Sequence, residues 1–133
     1  MAMQKPEFVR TFPADGAPST ALAANKVVVA STSNAGGVML PGATTSLQAI
    51  GVTTAASDAK GSVTVAMGGI VQVTAGGTIT VGALLGFDTS GQAVAITASG
   101  SGTTLRGTIG VALSAASSSG LVDVKIQPGY CQV

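Results

Sequence analysis

Five carboxylates, six cations, one thiol and a large stock of hydroxyls are the groups in this 133-residue chain that could do chemistry. The acids are Glu7, Asp15, Asp58, Asp88 and Asp123. Paired-acid hydrolysis needs two of them a few ångströms apart, one in an apolar pocket that raises its pKa. Glu7 and Asp15 belong to a proline-interrupted start, and Asp58 and Asp88 stand where turns are expected. Asp123 lies two residues before Lys125 on one strand face, the pattern of a solvated pair. All five therefore read as turn or surface groups. With no histidine in the chain, the usual general base and the commonest metal ligand are missing.

Nucleophiles fare no better. Lys60 beside Ser62, or Lys26 near Ser31, is a formal Ser/Lys pair with nothing else to support it. Lys60-Gly61-Ser62 has the wrong order for a phosphate loop, and Gly100-Ser-Gly102 lacks the third glycine of a dinucleotide site. Cys131 is alone, so it forms neither an internal disulfide nor a thiolate metal site. Only Lys125 is near it in sequence to lower its pKa. These residues predict no catalytic, cofactor or metal site, and the chain is expected not to be an enzyme.

Composition points the same way. Charged residues make up 8% of the chain, against about 25% in an ordinary soluble domain. Net charge is +1, which supplies no field to attract nucleic acid or anionic lipid. Neither nucleic-acid nor membrane binding is expected. No apolar run approaches the 18 or so residues of a spanning helix. The start, Met-Ala-Met-Gln-Lys-Pro-Glu, has no apolar h-region, so synthesis in a cytoplasm is the expectation. Val, Ile, Leu and Phe together number 33 of 133, too many for a disordered chain of low charge.

The elements that hold these groups are strands. Residues 1–20 read as an extended N-terminal arm, holding four of the eleven charges, Phe8 and Phe12, with Pro6, Pro13 and Pro18 interrupting regular structure. Residues 21–133 read as one β-domain. Lys26–Ser31 is β-branched, and period-2 alternation marks Ser62–Met67, Gly69–Thr74, Thr78–Val81, Gln92–Ile96 and Leu121–Gln127 as strands. Ala21–Asn25 has room for one helical turn. Glycine pairs at 36–37, 68–69 and 76–77 punctuate the runs, and Asp88-Thr-Ser-Gly91 predicts a hairpin turn. Short strands with Gly-rich turns indicate an all-β fold, a small β-barrel or sandwich of antiparallel strands. Ile50–Met67 also aligns without a gap on Ile109–Ile126, an offset of 59 that points to an internal repeat.

Several strings resemble the small capsid decoration (cement) proteins of tailed bacteriophages. They are Gly37-Val-Met-Leu-Pro-Gly-Ala, Gly61-Ser-Val-Thr-Val-Ala-Met-Gly-Gly-Ile-Val-Gln-Val, Gly82-Ala-Leu-Leu-Gly-Phe-Asp-Thr-Ser-Gly and Gly120-Leu-Val-Asp-Val-Lys-Ile-Gln-Pro-Gly. The resemblance spans about residues 20–129 and rests on turn and strand signatures. It implies a virion protein that sits outside the capsid as a homotrimer, bridges neighbouring capsomers and binds the major capsid protein. No catalytic residue comes with it.

Three weakly binding arms in one trimer gain avidity, and such an arm is suited to add a strand to a capsid sheet edge. Lys5, Phe8, Arg10 and Phe12 are the expected contact residues, the two phenylalanines as apolar anchors. The competing expectation is a non-enzymatic adhesin or carbohydrate-binding module on a larger assembly. Against it stands the aromatic count, three Phe and one Tyr, because sugar sites present aromatic faces.

Overall fold

A computed structural model describes residues 5–14, 22–32, 35–42, 48–58, 60–97, 99 and 101–133. Nine strands and no helix lie within them: β1 (Lys5–Pro13), β2 (Val27–Ala30), β3 (Val38–Met39), β4 (Ala49–Thr53), β5 (Ser62–Thr74), β6 (Leu84–Phe87), β7 (Ala93–Ala95), β8 (Leu105–Ala112) and β9 (Leu121–Gln132). They form one antiparallel sheet in the order β3-β2-β4-β5-β9-β8-β6-β7, curled into a half-barrel, with β1 added to β5. The class is all-β.

The curl gives the sheet two apolar faces. The larger cluster joins Val27, Val29, Val52 and Ala66 of the first strands to Leu85, Phe87, Ile109, Val122 and Val124 of the last. The smaller one, on the other face, holds Val28, Val38, Val63 and Val65, covered by Ala14 and Leu22 with Phe12 packed alongside. Alternation along β2 explains the split, since neighbouring residues of a strand point to opposite faces.

β5 departs from the sequence reading. Ser62–Met67 and Gly69–Thr74 form one 13-residue strand, and the glycine pair between them is an in-strand switch, not a turn. Gly69 has φ +81. Before the switch Val63 and Val65 face the smaller cluster, and after it Val71 and Val73 face the larger one. A single irregular residue reverses the side-chain alternation, and only glycine takes this φ at no steric cost.

Other elements also differ. Thr78–Val81 is no strand but carries one isolated bridge, Ile79 to Ala116. Of the helical turn expected over Ala21–Asn25, Ala21 lies outside the described residues and Leu22–Asn25 is not helical; Asn25 turns the chain with φ +62. β1 runs through Pro6 and Pro13, which the prolines were expected to prevent. An edge strand tolerates proline because one side of it needs no donors. Residues 1–4 and 15–20 of the expected arm lie outside the described residues.

Register repeats along the chain. Val52 faces Ala66 and Thr53 faces Val65; 59 residues on, Val111 faces Lys125 and Ala112 faces Val124. The β2–β4 ladder breaks after Val28, opposite Gly51, and the β6–β8 ladder breaks after Leu85, opposite Gly110. The docking of β1 recurs too. Val9, Thr11 and Phe12 pair with Ala66, Thr64 and Val63, just as Ile70, Gln72 and Val73 pair with Lys125, Asp123 and Val122. β5 thus receives β1 on its first half and docks on β9 with its second.

Candidate contact surface

The polar groups of the domain are mostly spent on holding turns. Asp58 Oδ1 accepts the N–H groups of Lys60 and Ser62, both at 2.9 Å. Asp88 Oδ1 accepts those of Ser90 and Gln92, again at 2.9 Å. In both turns a glycine three residues on, Gly61 or Gly91, has positive φ and returns its N–H to the aspartate carbonyl. The Asp88 turn is the hairpin expected from sequence. The Ser62 and Lys60 N–H groups hold the Asp58 carboxyl below its ordinary pKa of 3.8. Lys60 and Ser62 belong to this turn, while Lys26 and Ser31 flank opposite ends of β2.

Asp123 corrects the surface reading. It is buried on β9, between Gln72 across the ladder and Ser114, whose Oγ accepts the Asp123 N–H at 2.9 Å. The surrounding residues leave its side chain only 6% exposed. Its Oδ1 has no hydrogen-bond partner. Cys131, free and half-buried, faces Arg106 across the ladder rather than Lys125. Arg106 Nη2 donates to Phe87 O at 2.8 Å. Among the described residues no three His, Cys, Asp or Glu side chains form a group that could hold a metal.

Among the described residues, the large apolar side chains left exposed lie on three strands, β1, β8 and β9, and at one loop residue. Phe8 is 76% exposed and Val9 stands beside it on β1; Tyr130 is 51% exposed on β9, with Leu105 of β8 on the same face. Val81 and Leu121 complete the set. Phe8 has φ +52, a left-handed conformation unusual for a bulky residue, and is skipped by the ladder: Glu7 pairs with Gly68 and Val9 with Ala66. The backbone turn lifts the ring off the sheet.

Of the expected contact residues, Phe8 and Arg10 are exposed, while Phe12 is half-buried against the smaller cluster. Lys5 begins β1, opposite Ile70. Sequence reasoning missed Tyr130 and Leu105 as a pair. The signal was present in the alternation of β9, but register with β8 was needed to bring the two together.

No curated protein matches the chain. Among solved structures, it resembles the head fiber gp8.5 N base of bacteriophage phi29, with a TM-score of 0.62 and 23% identity over 90% of this chain and 92% of that one. At that identity the likeness is one of fold. Residues 11–127 match the phage cement protein family. That match spans all nine strands apart from residues 5–10 of β1 and 128–132 of β9, so the chain belongs to the phage cement protein family, as a structural, capsid-associated protein.

Proposed function

We propose that this protein binds the outer surface of a phage capsid as a trimer, bridges neighbouring capsomers through the major capsid protein, and stabilises the head. It does so by contact, with no catalytic step and no cofactor. The arm supplies the contacts through Lys5, Phe8, Arg10 and Phe12, after synthesis in the host cytoplasm. The observation that carries this reading is Phe8, an aromatic held off its own sheet by a backbone conformation that costs of order 1 kcal/mol or more. Strain of that kind is held by the surrounding structure and clusters at binding and other functional sites. Arg10, exposed on the same strand, adds a cation.

Purified protein mixed with expanded and unexpanded heads tests the reading, with bound copies counted by cryo-microscopy. Saturable coating at three-fold positions is expected, and coated heads should resist heat better than bare ones. Phe12 and Ala14 cover the smaller cluster, so the arm is probed by Phe8→Ser and Arg10→Ser rather than by removal. Coating unchanged in the double variant would remove the arm from the contact. Wild-type protein that never coats heads would remove the function.

A further inference from the structure

Among the described residues, two stretches of strand edge in this sheet lack partners, and each lies beside exposed apolar side chains. The first is on β9. Thr104 and Val133 exchange both backbone hydrogen bonds, at 2.9 and 3.4 Å. Bonded and non-bonded pairs alternate in an antiparallel ladder. Cys131 and Gly129 therefore point their backbone groups at β8, and Tyr130, opposite Gly107, points its N–H and C=O away. Lower on β9 that outer edge carries β5, which pairs with Leu121–Lys125. At Gln132 it receives the Ser99 N–H, 2.8 Å from the Gln132 carbonyl. Between these, at Tyr130, no described residue pairs with the edge.

The second edge is on β1. Ala14 donates to Gly61 O at 2.6 Å, so the even residues Arg10 and Phe12 point their backbone groups at β5. Val9 and Thr11 point theirs outward, where no strand among the described residues pairs with them. Pro13 lies in the same outward series, where its missing N–H leaves no inward bond unmade.

The repeated register says what these vacancies are. Gly129–Gln132 stands 59 residues after Ile70–Val73, the half of β5 that docks on β9. It is a third docking strand, flanked by β8 on one side and with no strand among the described residues to dock on. β1 is the first docking strand, seated on β5; apart from the bridge of Ala14 to Val38 at its end, its other side has no partner among the described residues. One end of the chain lacks a neighbour on one edge, and the other end lacks one on the opposite edge.

We propose that a second copy of this chain fills both vacancies: the outer edge of β1 at Val9 and Thr11 pairs with the open edge of β9 at Tyr130 in the adjacent copy. Val9 of one copy then lies against Tyr130 and Leu105 of the next. Such a contact joins two different surfaces, so it is heterologous and closes only as a ring. It deepens the trimeric part of the reading above and leaves Phe8 and Arg10 of β1 free for a capsid. Its test needs no capsid, so the two stand or fall separately.

Proline at an outward position blocks an edge while sparing the ladder within the chain. Thr11→Pro spoils one edge and Tyr130→Pro the other. Sedimentation of the full chain across micromolar concentrations is expected to show a closed oligomer for wild type. Each variant alone should have a dissociation constant raised at least tenfold, with far-UV circular dichroism and melting temperature showing that it is folded. An equimolar mixture of the two variants retains one good edge of each kind and should form mixed dimers that grow no further. Monomeric wild type, or folded variants that assemble as wild type does, would overturn the proposal, as would a mixture that stays monomeric. If either proline variant fails to fold, Val9→Lys and Tyr130→Lys place charges at the same edges, and the mixture is read in the same way.

Discussion

Phe8 and Gly69 make the same backbone excursion at the same step of one repeated strand pairing. Phe8 precedes Val9, which faces Ala66; Gly69 precedes Ile70, which faces Lys125. Their φ angles are +52 and +81. Glycine adopts this conformation freely, whereas an aromatic residue adopts it against the clash of its own Cβ. The pairing requires the excursion, and only at Phe8 is it made with a large side chain.

Replacing Phe8 should therefore help the fold and harm the contact. Phe8→Asn keeps a residue that tolerates the left-handed region and is expected to gain about 0.5–1 kcal/mol, because the exposed ring loses little burial. Thermal melts read the first effect and head coating the second. A variant that is both less stable and better at coating would refute the role given to the strain.

Much of this arrangement is legible in the residues, and the exceptions have physical causes. The 59-residue offset is visible because Gly51, Val52, Val63 and Val65 recur as Gly110, Val111, Val122 and Val124. The matching offset of 61 between β1 and the second half of β5 is not. Phe12 and Val73 share only apolar character, and Phe8 stands where Gly69 does. Gly68-Gly69 looks like a turn because glycine serves a turn and an in-strand switch through the same positive φ. The buried state of Asp123 is hidden because alternation places it opposite Val122 and Val124, on the side that is wet unless another element covers it.

Gly51 and Gly110 should be intolerant of any side chain. A Cβ on Gly51 would enter the space of the Ala66 carbonyl oxygen, and one on Gly110 that of the Lys125 oxygen, backbone atoms that have nowhere to move. Gly51→Ala and Gly110→Ala are each expected to cost about 3 kcal/mol or more through overpacking. Denaturant titration measures this. A loss below about 1 kcal/mol at both sites would show that the strands separate freely.

Thr53 is a hub that its counterpart Ala112 is not. Its buried Oγ1 donates to Ala23 O at 2.7 Å and accepts the Lys26 N–H at 3.0 Å, tying the entry of β2 to β4. Thr53→Val keeps the volume and removes both bonds, at an expected cost of about 1–3 kcal/mol. Thr53→Ser should recover most of it. Equal stability of the Val variant in urea would mean that the loop carries no load.

Acid should weaken the β4–β5 hairpin through Asp58. Its pKa is lowered in the folded state by the Ser62 and Lys60 N–H groups, so its contribution is present above the unfolded value of 3.8. That contribution is lost as pH falls through the lower folded value. Asp58→Asn should flatten this part of the stability–pH curve, and side-chain NMR titration should place the Asp58 midpoint below 3.8. A midpoint above that value would reverse the sign and sink the argument.

Asp123 stands where the first half of the chain has Thr64, and the exchange put a carboxylate into a site with few donors. One oxygen of it is buried without a partner. An acceptor left unsatisfied in the interior costs about 1–3 kcal/mol. Asp123→Thr restores the counterpart residue and should raise stability near neutral pH by about 1 kcal/mol, with Asp123→Asn changing it less. Thermal and urea unfolding in metal-free buffer measure the gain. A loss of 1 kcal/mol or more in both variants would mean that the carboxylate is held in solution by a partner that no residue around it supplies.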